Sequence, residues 1–439
     1  MTDNATLQQR RVAAVPRGVS NSLAVYAERA LNAEIWDVEG HRYIDFASGI
    51  AVLNVGHGHP KVKAAIAAQL EKFSHTCFQV TPYAGYVALA ERLNALAPGP
   101  AVKKTIFLTT GAEAVENALK IARYHTRRSG VIAFGGSFHG RTLACMTLTG
   151  KVQPYKAGFG PMLPDVFHAP FPMPYHGVTA EDSLRAIEQL FKADVDPARV
   201  AAIIIEPVLG EGGFYIAPPE FLKRLRAICD AHGIVLIVDE IQSGFGRTGR
   251  MFAIEHAGIE PDLMTIAKSV AGGVPLSAVI GRADIMDAPL PGGLGGTYAG
   301  SPLACAAGLA VLEVLRDEKL LERAESTGRW MVARLREMQA RHACMGDVRG
   351  LGAMVAIEIV KNRRADAPDA ELTKALVQGA ARRGLVILSC GVYGNVIRLL
   401  APLTIPQSHL EEGFGMLDAA LTEAAAGQAS PPARPADRA

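Results

Sequence analysis

IVDEIQSGFGRTG, residues 237–249, joins the end of an apolar run to a glycine-rich loop. The loop begins at Gly244 and has the G-x-G-x-x-G spacing of a dinucleotide-binding turn, whereas the apolar run ends in two carboxylates, Asp239 and Glu240. A dinucleotide fingerprint needs its first glycine directly after the strand and an acid about 20 residues further on. Here four residues separate Asp239 from Gly244, and residues 264–268 contain no acid. The spacing argues against an NAD site, so Asp239 is the stronger candidate for a functional residue in this segment.

Apolar runs of strand length recur on both sides of this segment and alternate with amphipathic helical stretches. Some runs, such as the three consecutive isoleucines at 203–205, are continuous rather than alternating. Continuous runs are typical of strands buried on both faces of a parallel sheet that helices cover. The predicted strands are residues 105–110, 131–134, 200–207, 233–240, 263–267 and 277–281, and the predicted helices include residues 218–232 and 302–340. The sequence therefore predicts an α/β fold with a mostly parallel sheet.

Composition restricts the class of protein. The 45 basic residues nearly balance the 43 acidic ones, so we expect neither a nucleic-acid partner nor an anionic membrane surface. The first twenty residues lack an apolar core, and no run approaches the roughly 18–20 apolar residues of a membrane span. The six cysteines form no C-x-x-C pair, which favours reduced thiols in the cytoplasm. His57 and His59 lack the cysteine or carboxylate cluster of a metal site, so no metal is expected.

Two polar groups follow neighbouring apolar runs. Asp239 lies at the carboxyl end of a predicted strand, where open α/β sheets place ligand-binding groups, and the next run ends at Lys268. A lysine that emerges from a buried strand can lose its proton to desolvation and become a nucleophile toward a carbonyl. A carboxylate on an adjacent strand can face a protonated ring nitrogen. The pair therefore suits pyridoxal phosphate, although a solvated strand-end carboxylate remains the alternative for Asp239.

The segment TTGAEAVENALK, which begins at Thr109, predicts a cradle for a phosphate. It reads as the end of a strand, a turn and a helix that starts at Gly111 and Ala112. Free backbone N–H groups and the positive end of the helix dipole favour an anion at such a position. An ordinary strand-to-helix turn has the same pattern, so this segment alone leaves both interpretations open.

Longer motifs carry a resemblance to a known family. The motifs are WDVEGHRYIDFASGIAVLNVGHGHP, TTGAEAVENALKIAR, FHGRT, IIIEPVLGEGG, residues 237–281, GGTYAGSPLACAA and GDVRGLGAM. Over nearly its whole length the chain resembles the class III, fold-type I pyridoxal-phosphate aminotransferases. Two segments, GSFHGRTLACMTLTGKVQPYKAGFGP and SCGVYGNVIRLLAPLTI, are similar to those of bacterial 4-aminobutyrate aminotransferases.

The resemblance implies a large cofactor-binding domain and a smaller α/β domain. We expect the large domain over residues 60–305 and the small C-terminal domain over residues 306–425, with residues 1–59 as part of the small domain. Residues 426–439 are rich in proline and alanine and have the composition of a disordered tail. The family's active site lies at a dimer interface, so a homo-oligomer is expected.

The resemblance also implies roles at the cofactor. Lys268 would bond to the cofactor's aldehyde and, once the substrate amine displaces it, would move a proton between substrate and cofactor. Asp239 would keep the ring nitrogen protonated. The other implied contacts are Gln242 at the phenolic oxygen, Gly111 and Ala112 at the phosphate, Thr297 of a partner subunit at the phosphate, Phe138 stacked on the ring, and His139 as structural support. Phe138 replaces the tyrosine often found in relatives, and since stacking needs only an aromatic face we expect a modest effect.

Two arginines are implied to bind substrate carboxylates. Arg141 would clamp the carboxylate of 4-aminobutyrate, and Arg398 would take the α-carboxylate of glutamate or 2-oxoglutarate; a guanidinium suits both because it pairs with a carboxylate through two parallel hydrogen bonds. Taken alone, either arginine is more typical of the surface, although the apolar neighbours of Arg398 favour burial. Glu206 and Glu211 would line the pocket, with Glu211 pairing with Arg398 whenever the substrate lacks an α-carboxylate. Ile50 would pack against the methylenes of the donor.

The implied reaction is transamination of 4-aminobutyrate with 2-oxoglutarate, which gives succinate semialdehyde and glutamate. Donors such as 5-aminovalerate, ornithine, acetylornithine or another ω-amine remain alternatives, because these enzymes share the cofactor apparatus. An NAD-dependent oxidoreductase and a non-catalytic binding protein on the same fold are the alternatives from other classes. The former predicts no bound aldehyde, and the latter is disfavoured by the presence of both Lys268 and Asp239.

Overall fold

The computed structural model describes residues 3–429 as three β-sheets with surrounding helices. The strands are β1 Ala27–Leu31, β2 Glu34–Asp37, β3 Arg42–Asp45, β4 Lys103–Leu108, β5 Gly130–Phe134, β6 Val166–Ala169, β7 Val200–Ile205, β8 Val235–Asp239, β9 Leu263–Ile266, β10 Ser277–Arg282, β11 Met345–Leu351, β12 Met354–Ile359, β13 Leu385–Val386, β14 Leu388–Cys390 and β15 Val396–Leu399. The α-helices are α1 Asn4–Ala14, α2 Ser48–Ala51, α3 Pro60–Leu70, α4 Ala84–Leu96, α5 Gly111–Thr126, α6 Leu143–Leu148, α7 Ala180–Ala193, α8 Pro219–His232, α9 Ala283–Met286, α10 Pro302–Asp317, α11 Leu320–Arg341, α12 Ala370–Arg382 and α13 Gln407–Ala429. Short 3₁₀ turns lie at Pro174–His176, Pro197–Arg199, Ala253–Ala257 and Lys268–Ala271.

The largest sheet has seven strands in the order β4-β10-β9-β8-β7-β5-β6. Adjacent strands are parallel from β9 to β6, whereas β10 is antiparallel to both β4 and β9. Every residue of β5, β7, β8 and β9 is buried, as expected for strands covered on both faces. The predicted α/β fold is confirmed. Because β4, β5, β7, β8 and β9 run in one direction, their carboxyl ends meet at one edge of the sheet.

Two four-stranded sheets accompany the large one. The first has the order β1-β2-β3-β13 and the second the order β11-β12-β15-β14. In the first sheet Ile44 of β3 pairs in parallel with Leu385 of β13, so a strand from the last quarter of the chain completes the N-terminal sheet. This pairing accords with placing residues 1–59 in the small domain, whose exact bounds stay a prediction.

The helix expected over residues 302–340 is two helices, so this prediction was wrong. Between α10 and α11 the backbone turns at Lys319, whose φ of 50° lies in the left-handed region and cannot continue an α-helix. Leu315 before the turn and Leu320 after it are both buried. The apolar pattern therefore continues across the break, which is why periodicity does not reveal it.

The glycine-rich loop of residues 244–249 forms successive turns and does not open a helix. It packs against the turn between β11 and β12, where a Cβ added to Gly352 would lie 2.3 Å from the carbonyl carbon of Thr248. The fully buried Arg247 donates hydrogen bonds to the Ala401 carbonyl at 2.8 Å and to the side chain of Asn54. The loop thus joins segments from the N-terminal and C-terminal parts of the chain. It lacks the strand–loop–helix context of a dinucleotide site.

The last described helix, α13, runs to Ala429, so the tail predicted for residues 426–439 begins inside it. Residues 430–439 lie outside the described residues. Within residues 3–429, none of the helices has the length and apolar character needed to span a bilayer.

Candidate active site

The site lies at the edge where the parallel strands of the large sheet end. Asp239 is the last residue of β8 and pairs in register with Thr265 of the adjacent β9, and Lys268 follows two residues after β9. Both side chains line one cavity of about 380 Å³. The carboxylate and the amine predicted from separate apolar runs are therefore brought to one site.

The same cavity is lined by all the predicted cofactor residues except Thr297. These are Gly111, Ala112, Phe138, His139, Asp239, Gln242 and Lys268. Glu206 lines the cavity as predicted from the resemblance. Val52 and Thr110 also line it, and neither was predicted as a site residue. Thr297 is exposed and does not reach the cavity of its own chain.

The N-terminus of α5 forms one wall of the cavity. Thr110 caps the helix by accepting a hydrogen bond from the backbone N–H of Glu113, whose carboxylate accepts from the N–H groups of Thr110 and Thr109 at 2.9 and 2.8 Å. The first N–H groups of a helix have no partner inside it. The capping pair occupies neighbouring donors, so the N–H groups of Gly111 and Ala112 are left for an anion in the cavity, where the helix dipole also favours negative charge.

Lys268 has an unusual backbone and an unusual environment. Its φ of 50° is left-handed, a conformation that costs a non-glycine residue about 1–3 kcal/mol and persists only where the surrounding structure enforces it. Burial lowers the pKa of its amine, and the positive charge of Arg398 lowers it further, while nearby carboxylates oppose both effects. The neutral, nucleophilic form of the amine is therefore favoured relative to a lysine in water.

Asp239 is held by the residues around it. Its Oδ2 atom lies 2.7 Å from Nδ1 of the fully enclosed His139, and its Oδ1 accepts the N–H of Ile241 at 3.1 Å. Burial disfavours the charged imidazole, but the bond to Asp239 outweighs burial and raises the pKa of His139. His139 is thus placed to support the site, as predicted, because its ring holds the carboxylate of Asp239 in one orientation.

Glu206 organises the backbone on the other side of the cavity. Its carboxylate accepts the N–H of Phe138 at 2.9 Å and that of Gly210 at 3.0 Å. Burial raises the pKa of Glu206 to about 7, and the charge of Asp239 raises it as well. Glu206 therefore links the aromatic residue beside the cavity to the glycine-rich loop that carries Glu211.

Arg398 and Glu211 form a buried ion pair next to the cavity. The guanidinium donates a short hydrogen bond from Nη1 to Oε1 of Glu211, and Arg398 is 4% exposed. Burial alone would raise the pKa of Glu211, but Arg398 outweighs it and lowers that pKa. The pair lies close enough to Lys268 for both charges to act on its amine. The pairing expected in the absence of an α-carboxylate is the arrangement present in the structure.

Arg141 is exposed, and it has no ion-pair partner within residues 3–429. Its guanidinium carbon lies 5.5 Å from the ring centroid of Tyr155, whose ring is 5.0 Å from that of Phe138. Burial raises the pKa of the Tyr155 hydroxyl, which also senses the charges of Glu211, Arg141 and Arg398. Tyr155 was not predicted as a site residue, because its only signal in the sequence is its position inside GKVQPYKAGFGP.

Ile50 is 40% exposed and lies outside the cavity lining, two residues from Val52, which belongs to it. The backbone around Ile50 is left-handed, with φ of 61° at Gly49 and 67° at Ile50. The structure therefore places Ile50 outside the cavity lining, although a neighbouring residue in the sequence contributes to it.

This arrangement of a lysine, a carboxylate and a helix N-terminus around one cavity is that of an aminotransferase site, and residues 14–421 match the family described as aminotransferase class-III. The chain belongs to that family. It is 58% identical to a 5-aminovalerate aminotransferase of Pseudomonas aeruginosa over 94% of this chain and 97% of the relative. It is 54% identical to a 4-aminobutyrate aminotransferase of Escherichia coli K12 over 97% of this chain and 100% of the relative.

Solved structures agree with this assignment. The ornithine aminotransferase of Toxoplasma gondii, described with partial occupancy of pyridoxal phosphate, matches with a TM-score of 0.86 at 29% identity, over 98% of this chain and 97% of that one. A transaminase of the marine bacterium Virgibacillus matches with a TM-score of 0.90 at 26% identity, over 96% of this chain and 100% of that one.

Pyridoxal 5'-phosphate is the cofactor of this family, and the residues of the cavity fit it. Two buried polar atoms here, Nε2 of His139 and Oε1 of Gln242, have no hydrogen-bond partner within residues 3–429. An unpaired buried polar atom is costly, so a ligand that donated a hydrogen bond to Oε1 of Gln242 would stabilise this side of the cavity. The helix N-terminus offers an anion site, Asp239 a partner for a ring cation, and Lys268 an amine for an aldehyde.

Proposed function

We propose that this protein transfers the amino group of 4-aminobutyrate to 2-oxoglutarate, giving succinate semialdehyde and glutamate. The observation that carries the proposal is the buried pair of Arg398 and Glu211 beside Lys268. Glutamate brings an α-carboxylate that can pair with Arg398, whereas 4-aminobutyrate has none at its reacting carbon. An internal carboxylate that neutralises Arg398 suits an enzyme that must accept both substrates in turn.

Pyridoxal phosphate, when bound, supplies the electron-withdrawing ring that makes a proton on the substrate's amino-bearing carbon acidic. Asp239 keeps a positive charge on the ring nitrogen, and His139 orients Asp239. Gly111 and Ala112 would hold the phosphate, Gln242 would contact the phenolic oxygen, and the ring of Phe138 would stack on the pyridine.

Lys268 does the proton chemistry. Its Nζ would hold the cofactor's aldehyde, and once the substrate amine had taken its place the free amine would move a proton between the substrate carbon and the cofactor. A lysine with an ordinary pKa would be protonated at neutral pH and could not accept a proton. Burial lowers the pKa of Lys268, which favours the neutral amine that this task requires.

Arg141 takes the carboxylate that all substrates share. It is exposed beside Tyr155 and has no internal carboxylate to displace, so binding a substrate there breaks no existing ion pair. Ile50 would pack against the methylene carbons of the donor. Glu206 accepts hydrogen bonds from the backbone of Phe138 and from that of Gly210, which adjoins Glu211.

A second donor, 5-aminovalerate, is favoured by the identity of 58% to the Pseudomonas aeruginosa enzyme that acts on it. The two donors differ by one methylene, which is worth only about 1–3 kcal/mol in a binding pocket. The cofactor and Arg398 would act on both in the same way. The distance from Arg141 to the reacting carbon sets the preference.

We further propose that the active protein is a homo-oligomer in the cytoplasm, and that a second copy supplies Thr297 to the phosphate. Thr297 lies in an exposed segment next to Tyr298, which is 69% exposed, and Leu290 of the same region is equally exposed. Large exposed apolar side chains near Thr297 suit a contact with a protein partner. The six unpaired cysteines accord with a reducing compartment.

The test is a panel of ω-amines of increasing length supplied to the holoenzyme with 2-oxoglutarate. Glutamate formation and loss of absorbance from the bound aldehyde are followed together. We expect 4-aminobutyrate to give the highest kcat/KM, with 5-aminovalerate second. A higher value for 5-aminovalerate would select the second donor, and glutamate formation with neither would reject the proposed reaction. Sedimentation of the holoenzyme tests the oligomer.

A further inference from the structure

The loop that carries Glu211, residues 209–215, is held by hydrogen bonds at its ends and in its middle. Its two ends are joined by hydrogen bonds from Leu209 N–H to the Tyr215 carbonyl and from Phe214 N–H to the Leu209 carbonyl, at 2.9 and 2.7 Å. Its middle is fixed by the N–H of Gly391, which donates to the Glu211 carbonyl at 2.9 Å. The backbone of Glu211 is therefore anchored independently of its side chain.

The glycines of this loop leave no space for it to shift. A Cβ on Gly210 would lie 2.7 Å from the amide of Gln242, and a Cβ on Gly212 would lie 2.4 Å from the carbonyl oxygen of Gly136. Close packing on two sides means that the loop cannot move toward either neighbour. If Glu211 exchanges partners during the reaction, its side chain must rotate while the backbone stays in place.

One residue outside the loop makes the remaining anchor. Arg349 on β11 donates from both Nε and Nη2 to the carbonyl oxygen of Gly213, at 2.8 and 2.6 Å. Its third nitrogen donates to Asp347 at 2.7 Å and to Glu358 at 2.8 Å, and its guanidinium stacks 3.9 Å from the ring centroid of Tyr215. Nε and Nη2 of Arg349 thus hold one carbonyl of the loop, and Nη1 is held by two carboxylates.

Of the two carboxylates that hold Arg349, Glu358 is buried and fully paired, whereas the side chain of Asp347 is 29% exposed. Glu358 is 1% exposed and accepts the hydroxyl of Tyr215 at 2.6 Å, and its other oxygen lies 2.8 Å from Nε2 of His176. Such a network is rigid because every member has a partner, and the removal of one member leaves a buried charge unpaired. The Glu211 loop is therefore held in place by Arg349 on β11, which is itself fixed by Glu358 on β12.

We propose that Arg349 is a positioning residue that fixes the backbone of the Glu211 loop, so that Glu211 exchanges partners by side-chain rotation alone. It thereby sets the preference of the enzyme between ω-amines and glutamate. The inference rests on the proposed function, since it concerns the same substrate site. When an ω-amine is bound, Glu211 must be placed accurately on Arg398, whereas glutamate supplies its own carboxylate. A less rigid loop should therefore lower the rate of the ω-amine half-reaction more than the rate of the glutamate half-reaction.

The test is the ratio of two single-turnover rates, those of the holoenzyme with 4-aminobutyrate and with glutamate. Arg349→Lys keeps the charge beside Asp347 and Glu358 but cannot place two donors on Gly213. We expect the ratio to fall by about threefold to tenfold, the usual effect of one lost internal hydrogen bond. The matched control is Arg226→Lys, since Arg226 is also largely buried between two carboxylates, Asp230 and Asp262. The ratio of the 4-aminobutyrate rate to the glutamate rate in Arg226→Lys should stay at the wild-type value.

The double variant Glu211→Ser/Arg349→Lys separates positioning from a general loss of stability. If Arg349 acts through Glu211, its substitution should leave the ratio of the Glu211→Ser enzyme unchanged, because coupled residues are not additive. A ratio that shifts equally in both backgrounds, or equal losses in both halves for Arg349→Lys, overturns the inference.

If Arg349→Lys does not fold, Asp347→Asn removes one anchor at a more exposed position, and a fall in the ratio is again expected; an unchanged ratio counts against the inference. Failure of the proposed function is recognised separately, because the wild-type enzyme would then turn over neither 4-aminobutyrate nor 5-aminovalerate.

Discussion

Replacing Glu211 by serine should leave Arg398 as a buried cation without a partner whenever the substrate lacks an α-carboxylate. Loss of one member of a buried ion pair costs about 3–5 kcal/mol. Arg398 is 4% exposed, but the side chain of Glu211 is 18% exposed, so water can enter the space that serine leaves. We therefore take the lower end, about 3 kcal/mol, which corresponds to roughly two orders of magnitude at about 1.4 kcal/mol per decade.

The expected result is that Glu211→Ser slows the half-reaction with 4-aminobutyrate by about a hundredfold and leaves that with glutamate equal or faster. Glutamate pairs with Arg398 through its own α-carboxylate and no longer competes with Glu211. The assay is stopped-flow measurement of each half-reaction, followed by the absorbance of the bound aldehyde. Glu181→Ser is the control, because Glu181 forms an exposed ion pair with Arg224, a type worth about 0–1 kcal/mol. If the Glu211→Ser enzyme keeps the wild-type ratio of the two rates, the exchange of partners at Arg398 is refuted.

Three further outcomes are expected. Lys268→Ala should abolish multiple turnover while the protein still folds and holds the cofactor non-covalently; borohydride reduction and peptide mapping of the wild type should label Lys268, and a label on any other lysine rules the assignment out. Arg141→Ala should weaken both half-reactions, whereas Arg398→Ala should harm mainly the glutamate half, and equal losses in both halves for Arg398→Ala would contradict this division. Burial raises the pKa of Glu206 to about 7 in the folded protein, so its protonation stabilises the fold below the unfolded pKa and this contribution disappears as the pH rises through about 7. Between pH 5 and 8 the melting temperature of the apo wild type should therefore fall more than that of Glu206→Gln. Equal falls for the two proteins would rule out this contribution of Glu206.

The strands of the large sheet could be predicted from the sequence because burial on both faces makes them continuously apolar. Asp239 and Lys268 could be predicted as a pair because each ends such a run, and neighbouring parallel strands deliver their ends to one edge. These inferences need only local pattern and one rule of sheet geometry.

Other parts of the site depend on contacts between distant segments and leave no local signal. The bonds of Glu206 to Phe138 and Gly210, and those of Arg349 to Gly213, join residues whose own neighbourhoods in the sequence are unremarkable for such a role. Tyr155 likewise approaches Arg141 only through the path of an irregular segment. The left-handed turn at Lys319 is missed for another reason, since apolar periodicity reports burial and not backbone direction.

The parallel pairing of β3 with β13 has a consequence for synthesis of the chain. β3 emerges from the ribosome early, but its partner around Leu385 is made only when about nine-tenths of the protein has been translated. Contacts between segments so far apart in sequence form slowly, and an unpaired strand edge is prone to aggregation in the meantime. The N-terminal sheet can therefore gain its fourth strand only after translation is nearly complete. A nascent chain truncated before residue 385 should hold a folded large sheet but an open β3 edge, a natural binding target for a chaperone.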